Sequence, residues 1–412
     1  MTNPRVRHVW RATLLLLVLH SGTSKAQALW EFDAGGRVIG KPTVVDGTIY
    51  IAGGQSVHAL GLDSEVIWTR ELDGETAARI SADGGVIYVH SSAGLHALNE
   101  QGELMWMHAH EDRGPLVDGR TWGWGPEILP DPWGWYRSAP LVRDGAVLFG
   151  SSDGLHAIST TDGEEIWRTP IGPVTGDLVS HGDTVIAACW NNSVYAVEAE
   201  TGKVRWRFRA AVLATKGIDW VGYAGFHLSP VLDGDRIYVG TRGTYFYAID
   251  ADDGTEVWSS KVGSSWIGSP AVVTEDAVYY GLSDGAAVLG HEKERGAQSF
   301  FFKTGSLVFA QPGLHDGKLI VGTLAGHLFA LDPVTGRGER LMSLGSAEVR
   351  YGEFFDPKII PESLTRYEAT AWSVNQMLSE ANAILSLAVH ENTAYLGTGT
   401  GVLYAVKLGS AD

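Results

Sequence analysis

Short apolar stretches alternate with turns rich in glycine and acidic residues along most of the chain, which indicates β-strands rather than helices. The pattern is sharpest at Ala248–Trp258, which reads AIDADDGTEVW and predicts a strand, a tight turn and a second strand. The same string recurs in register at Ala196–Trp206 and at Ala157–Trp167. Three copies in register predict a repeat architecture.

Extending this register along the chain gives eight units, each of which reads as four short strands. The units are Pro42–Trp68, Ala78–Trp106, Ala139–Trp167, Thr175–Trp206, Ser229–Trp258, Ser269–Phe301, Gln311–Met342 and Ala383–Leu408. The eighth unit lacks a fourth strand, and an orphan strand around Trp30 can supply it. We therefore expect an all-β fold, an eight-bladed β-propeller of four-stranded antiparallel blades, with the N-terminal strand closing the ring.

A tryptophan ends most of the repeats, and we interpret these residues as structural docking residues. They are Trp30, Trp68, Trp106, Trp167, Trp206 and Trp258. The sixth unit has Phe300–Phe302 where the tryptophan should stand, and the seventh has Leu341 or Met342. Both replacements keep bulk while losing the indole.

Three intervals between units are longer than the others: residues 108–137 (insertion 1), 210–227 (insertion 2) and 346–382 (insertion 3). Each follows a fourth strand and precedes a first strand, and in a propeller these connections emerge on one face. An apolar stripe in insertion 3 predicts a helix from about Pro361 to Ala381. Because loops on a rigid scaffold commonly carry function, we expect binding on this decorated face.

Aromatic residues are concentrated in and around these insertions, and prolines and glycines among them prevent regular structure. The rings either pack on the propeller or form a stacking platform for a sugar, a peptide or a planar cofactor. The candidate ligand- or partner-binding residues are Trp122, Trp124, Trp133, Trp135, Tyr136, Trp190, Trp220, Tyr223, Phe226, Arg242, Trp266 and Trp372.

The first residues have the composition of a secretory signal, with Arg5, Arg7 and Arg11 before the apolar run ATLLLLVL and small residues after it. We expect cleavage of residues 1–28 and a single propeller domain over residues 29–412. The apolar run is too short to span a bilayer, and no cysteine follows it to carry a lipid. The mature chain is therefore expected to be periplasmic or secreted, with no transmembrane segment.

Charge and histidine placement narrow the candidate chemistry. The net charge of −17 would repel phosphate backbones, so nucleic acid is not an expected partner. His108, His110 and Asp112 have the look of metal ligands, but their spacing is not specific to zinc or calcium, and we expect a solvated acidic loop. A further set, His58, His96 and His156, occupies one repeat position, which favours packing between blades. The single cysteine, Cys189, excludes an intramolecular disulfide.

The complete repeat resembles the pyrroloquinoline quinone (PQQ) type propeller repeat, whose AxDxxTGxxxW segment is called the tryptophan-docking motif. The match is fullest at Ala248, Asp250, Gly254 and Trp258. The resemblance implies one of two branches: quinoprotein dehydrogenases that hold PQQ with calcium, or BamB-like outer-membrane assembly factors, which are non-catalytic periplasmic scaffolds. Length and plain blades agree with the BamB-like branch, while the missing lipid-attachment cysteine and the tryptophan-rich insertions depart from it.

We therefore expect an exported, non-catalytic binding or scaffold protein that engages a protein or envelope partner through its decorated face. No catalytic residue, metal or cofactor is assigned. One alternative is a PQQ-dependent quinoprotein oxidoreductase with calcium, and a second is a carbohydrate-binding propeller.

Overall fold

Eight four-stranded antiparallel sheets follow one another around a ring, which confirms the predicted eight-bladed all-β propeller. The computed structural model describes residues 26–210, 225–344 and 354–409. Within each blade the strands pair in chain order, and the short first strands of neighbouring blades lie against one another around the axis. Among the described residues, no helix is long and apolar enough to cross a membrane.

Each of the first four blades is formed by four strands that follow one another in the sequence. Blade 1 consists of Thr43–Val45, Thr48–Gly53, Ser56–Gly61 and Val66–Glu71. Blade 2 consists of Ser81–Asp83, Val86–Ser91, Gly94–Asn99 and Leu104–Ala109. Blade 3 consists of Leu141–Arg143, Ala146–Gly150, Leu155–Ser159 and Glu165–Thr169. Blade 4 consists of Val179–His181, Thr184–Cys189, Ser193–Glu198 and Val204–Arg209.

The last four blades complete the ring. Blade 5 consists of Val231–Asp233, Arg236–Gly240, Tyr245–Asp250 and Glu256–Lys261. Blade 6 consists of Val272–Val273, Ala277–Gly281, Ala287–Glu292 and Gln298–Lys303. Blade 7 consists of Gly313–His315, Lys318–Gly322, His327–Leu331 and Gly338–Ser343. Blade 8 consists of Ile384–His390, Thr393–Thr398, Val402–Lys407 and, from the other end of the chain, Ala28–Asp33.

Two insertions carry secondary structure of their own. Insertion 1 contains a hairpin of Leu116–Asp118 and Ile128–Pro130, with the four-residue helix α1 at Gly119–Trp122. Insertion 3 contains helix α2 at Arg366–Glu380. This helix begins later than the predicted Pro361, because Thr365 and Glu368 form a capping box that fixes its start.

Burial falls from the middle strands of a blade to its outermost strand. In blade 4 every residue of Thr184–Cys189 is buried, whereas the outermost strand alternates with solvent-exposed positions. Cys189 is fully buried, and burial raises the pKa of its thiol to about 12, so this cysteine is a packing residue.

Each docking tryptophan reaches from the outermost strand of one blade to the next blade. The indole Nε1 donates a hydrogen bond to a backbone carbonyl in or beside the turn after the third strand of that neighbour. The six donor–acceptor pairs are Trp30–Leu62 at 2.8 Å, Trp68–Glu100 at 2.8 Å, Trp106–Thr160 at 3.0 Å, Trp167–Ala199 at 3.0 Å, Trp206–Ala251 at 3.1 Å and Trp258–Lys293 at 2.9 Å. The repeated segment, of which Ala248–Trp258 is one copy, therefore forms a hairpin and also supplies the tryptophan that contacts the next blade.

The ring closes through the same contact. Ala28–Asp33 pairs antiparallel with Val402–Lys407, with Trp30 opposite Ala405, and so supplies the fourth strand of blade 8 as predicted. The Trp30 indole then docks on Leu62 of blade 1. Closure covers the edge of Val402–Lys407 that would otherwise be unpaired, and Ala28–Asp33 becomes the outermost strand of blade 8.

The glycine of the turn after the third strand is required by the indole that covers it. A Cβ atom on Gly254 would lie 2.5 Å from Cε3 of Trp206, which is closer than any real contact. In blade 7 the equivalent Gly336 follows a blade without a docking tryptophan, and a Cβ there would meet nothing within 4 Å. Both glycines have positive φ, 76° and 70°, in otherwise equivalent turns.

This pair of glycines gives a matched test of the docking contact. Gly254→Ala and Gly336→Ala carry the same cost of a left-handed backbone, but only the first forces a methyl group into an indole. We expect Gly254→Ala to lower the free energy of unfolding by about 1–3 kcal/mol more than Gly336→Ala, measured by urea denaturation. Equal losses in the two variants would show that the indole does not constrain the turn.

Candidate functional site

Insertions 1 and 3 meet on the decorated face in one apolar cluster, which we call the aromatic cap. Trp133 is only 8% exposed and stacks parallel to Phe309 and Phe355, at centroid distances of 6.0 and 6.4 Å. Helix α2 contributes its buried side to the same cluster. The buried members are Trp133, Leu307, Phe309, Leu324, Phe354, Val374, Met377, Leu378, Ala381, Ala383 and Leu385. Trp133 is therefore a packing residue of this cap.

A buried ion pair fastens insertion 1 to the opposite part of the ring. Asp131 accepts a hydrogen bond from Nη1 of Arg242 in blade 5 at 2.6 Å, and both side chains are almost completely buried. The Arg242 guanidinium also lies 4.3 Å from the ring centroid of Trp190 and 4.7 Å from that of Trp266. The sequence placed Trp190, Arg242 and Trp266 on one face, and the structure brings them into contact.

A second buried ion pair closes the base of insertion 1. Nη1 of Arg137 donates to the carboxylate of Asp112, which also accepts from the backbone N–H groups of Gly114 and Ser152 at 3.0 and 3.1 Å. Burial opposes ionisation of Asp112, but His90 and Arg137 outweigh it and hold the pKa of this carboxyl below its usual value. Asp112 is thus an anchor of the loop, and the prediction of a solvated acidic loop is wrong for this residue.

The hairpin of insertion 1 carries apolar side chains on both of its faces. Leu116 pairs with Pro130 and Asp118 with Ile128, so these four residues share one face, while Val117 on the other face is buried. On the outer face, Leu116 is 47% exposed and Ile128 is 58% exposed. The hairpin therefore presents apolar side chains to solvent on a support that is fixed from beneath.

Half-buried aromatic residues lie next to this hairpin. Trp122 and Trp124 stack at a centroid distance of 5.2 Å, and Trp124 meets Tyr367 of helix α2 edge to face at 5.4 Å. Trp135 packs on Phe309 at 5.7 Å and also contacts Tyr136. The Trp124–Tyr367 contact joins insertion 1 to insertion 3, and the Trp135–Phe309 contact joins insertion 1 to the connection between blades 6 and 7.

The remaining predicted site residues are placed differently. Phe226 is fully buried between blades 4 and 5, against Phe208 and Tyr247, so it belongs to the core and not to a platform. Trp372 is half-buried on helix α2. Trp220 and Tyr223 lie outside the described residues.

A cavity of about 590 Å³, including its open mouth, runs along the axis beneath the aromatic cap. Basic side chains line it, among them Lys41, Arg79 and Arg137. Lys41 donates to Gln311 at 3.3 Å, and Arg79 lies 3.4 Å from Asp177. Burial lowers the pKa of Lys41. Three basic side chains and one carboxylate therefore line the cavity, and each of the three basic side chains already has a polar or acidic partner.

Sequence reasoning missed Asp131, the residue that pairs with Arg242. The available signal was an acidic residue within LPDPWGWY, a segment otherwise free of charge. An isolated carboxylate among aromatic residues and prolines needs a buried cation if the segment packs.

Neutralising Asp131 tests whether this ion pair holds insertion 1. Asp131→Asn keeps the side-chain size and the oxygen that accepts from the Trp133 N–H, but leaves the Arg242 charge buried without its counter-ion. We expect a loss of about 3–5 kcal/mol in the free energy of unfolding, measured by denaturant titration. Glu111→Gln removes an exposed partner of Arg113 in the same insertion and should leave stability unchanged. Similar results for the two variants would contradict an anchoring role.

Comparison with known proteins assigns this chain to a family. A family model described as outer membrane protein assembly factor BamB matches residues 18–115, 95–217, 151–286 and 191–348. The outer membrane protein assembly factor BamB of Salmonella typhimurium is 25% identical over 218 residues, which cover 47% of this chain and 50% of that protein. The chain thus spans half or less of the length of the curated relatives that it matches first.

Solved structures agree on the fold. The crystal structure of BamB from Moraxella catarrhalis superposes with a TM-score of 0.67 at 15% identity, covering 93% of this chain and all of that one. A europium-containing methanol dehydrogenase gives a TM-score of 0.66 at 15% identity, covering 93% and 94% of the two chains. At this identity both show the architecture alone, which serves binding proteins and enzymes alike. The matched repeats span most of the sequence, and the chain belongs to the BamB-like family of PQQ-type β-propellers.

Proposed function

We propose that this protein is a non-catalytic scaffold of the cell envelope that holds a protein partner on its decorated face. The observation that carries the proposal is the outer side of the insertion 1 hairpin, where Leu116 and Ile128 are about half exposed beside the Trp122–Trp124 stack. Contiguous exposed apolar groups on a folded surface are typical of protein interfaces, and tryptophan is enriched among the residues that dominate binding energy.

The rigid support of the hairpin favours binding without a large ordering cost. Insertion 1 is tied to the ring by the Asp131–Arg242 and Asp112–Arg137 ion pairs. Helix α2 is tied down by Arg37, which donates to the Asn375 side chain at 3.0 Å and to the Ser379 hydroxyl at 3.0 Å. Because the surface is formed before the partner arrives, less conformational entropy is lost on association.

The relatives suggest which partner class to test. Their names describe factors of outer-membrane protein assembly, so we propose a partner among the proteins of that process. The hairpin also offers short edge strands, which an extended segment of a partner could extend by backbone pairing. The carbohydrate alternative gains no support, since Trp133, one of its proposed platform residues, is buried in the aromatic cap.

Export is part of the same proposal. The predicted signal, residues 1–28, overlaps the closing strand, because Ala28 already pairs with Val406 and the Gln27 carbonyl accepts from the Lys407 N–H at 3.2 Å. Cleavage after Ala26, at the other small residue near the end of the signal, would leave this strand whole. Cleavage after Ala28 would remove its first residue.

Site-specific photocrosslinking tests the proposed interface. A benzophenone side chain at position 128 should give light-dependent adducts with outer-membrane assembly proteins in intact envelopes. The same probe at position 166, on the outermost strand of blade 3, is the control, since Ile166 is 52% exposed but lies away from the insertions. Ile128→Asp should reduce recovery of the partner about tenfold or more without changing the melting temperature. Equal adducts at both positions, or none at position 128, would contradict the proposal.

The quinoprotein alternative is tested separately. Calcium requires six to eight oxygen ligands, whereas Asp177 is the single carboxylate among the described residues that line the axial cavity. A quinone stacked on Trp190 or Trp266 would also have to displace Arg242 from the ring face that it covers. We therefore expect protein incubated with PQQ and calcium, then desalted, to retain no quinone absorbance and to reduce no dye with alcohols. Retained quinone together with dye reduction would replace the scaffold proposal by an oxidoreductase.

A further inference from the structure

Three polar side chains converge between blades 2 and 3, at the root of insertion 1. His110 follows the outermost strand of blade 2, while Asp153 and His156 come from blade 3. Nε2 of His156 lies 2.8 Å from Oδ1 of Asp153, and Nε2 of His110 lies 3.5 Å from the same oxygen. One ligand atom from each residue lies within 4.8 Å of the other two.

The predicted packing of His156 between blades is confirmed, since its buried ring stacks on Phe149 at 5.1 Å and meets His110, which follows blade 2. The polar groups around its ring nitrogens were not predicted. His58, at the same repeat position, is hydrogen-bonded to Thr69 at 2.9 Å and to the Ala34 carbonyl at 3.2 Å, and His96 bonds to Ser91 at 3.0 Å. His156 instead has a carboxylate beside each ring nitrogen and a second imidazole at a centroid distance of 4.4 Å. The position of His156 in the repeat predicted that its side chain is buried, but not that carboxylates lie beside both ring nitrogens.

The two separations from Oδ1 of Asp153 are compatible with a tetrahedral metal ion. Zinc binds imidazole nitrogen and carboxylate oxygen at about 2.0–2.2 Å, which puts neighbouring ligand atoms about 3.3 Å apart. The separations of 2.8 and 3.5 Å from Oδ1 of Asp153 fall on either side of that value. Two histidines with one carboxylate form a known ligand class for zinc, in which a water molecule takes the fourth position.

Neighbouring charged groups hold the ligands in place from behind. Nδ1 of His156 lies 3.3 Å from Oε2 of Glu165, which is the carboxylate–histidine pairing that orients a metal-bound imidazole. Oδ2 of Asp153 lies 3.2 Å from Nη1 of Arg168, so that Oδ1 remains directed toward the two histidines. Ser151 Oγ lies 2.6 Å from Nε2 of His110, so metal binding at this nitrogen exchanges that hydrogen bond for the metal bond and requires a change of χ1 at Ser151.

The site is also accessible. His156 is completely buried, but the His110 side chain is 15% exposed and that of Asp153 is 41% exposed. An ion can therefore enter from the Asp153 side and keep a water molecule there. We propose that His110, Asp153 and His156 form a binding site for a divalent metal ion of the zinc type.

Such an ion would join blade 2 to blade 3 beside the base of insertion 1, where Asp112 and Arg137 form their ion pair. Blades 2 and 3 already share one docking contact, in which Trp106 donates to the Thr160 carbonyl. The metal ion would link the same two blades at a different place, beside insertion 1. The role inferred is structural, and it does not depend on the partner proposed above.

Metal binding to the purified, demetallated full-length protein tests this site with Zn²⁺ and Co²⁺ as probes. We expect one equivalent of Zn²⁺ by equilibrium dialysis, and with Co²⁺ the intense visible absorption of a tetrahedral complex. His110→Gln and Asp153→Asn should each weaken Zn²⁺ binding at least about 100-fold, because each removes one of three protein ligands. Neither residue is fully buried, so both variants should fold, and circular dichroism checks this.

His108→Gln provides the matched control, since His108 lies two residues from His110 and hydrogen-bonds through Nδ1 to the Gly163 carbonyl at 3.1 Å. It should bind Zn²⁺ as the wild type does. Absence of bound Zn²⁺ in the wild-type protein, or unchanged affinity in folded His110→Gln, would overturn the proposal. Loss of binding in His108→Gln alone would place the metal on the opposite side of His156, with Glu165, and would likewise overturn the assigned ligands.

Discussion

The contact between a docking indole and the glycine of the next blade is the constraint on which the ring depends. The indole occupies space that any Cβ atom would fill, and its N–H satisfies a backbone carbonyl that a turn would otherwise direct to solvent. Both requirements fix how far one blade is rotated relative to its neighbour. Five of the six docking indoles cover such a glycine, and all six donate the hydrogen bond. Together these contacts determine an architecture that no single blade could maintain.

The same constraint explains how much of the fold could be predicted from the sequence. Tryptophan and glycine must recur at a fixed interval for the contact to form, so Ala248–Trp258 was sufficient to locate every blade and to identify the strand around Trp30 as the missing one. In blade 7, which has no docking tryptophan, the sequence did not decide whether Leu341 or Met342 takes the place of the indole. The start of helix α2 was missed because side-chain capping at Thr365, and not the apolar stripe, decides it.

The candidate site was predictable only where it uses repeat positions. Trp190 and Arg242 occupy loops between second and third strands, and topology places such loops on one face. Asp131 and the hairpin of insertion 1 have no counterpart in other blades, so the repeat pattern could not predict their positions. For His156 the repeat position predicted the packing between blades correctly, but it carried no information on the two carboxylates beside its ring nitrogens.

The pairing of Ala28–Asp33 with Val402–Lys407 has a consequence for how this molecule is made. During synthesis the first of these strands emerges long before its partner exists, so blade 8 cannot be assembled until the seven others are already present. Loop closure across almost the whole chain is slow, and the waiting strand edge is open to wrong partners throughout. Folding speed and resistance to aggregation in this protein therefore depend on a strand that contributes little to the binding face.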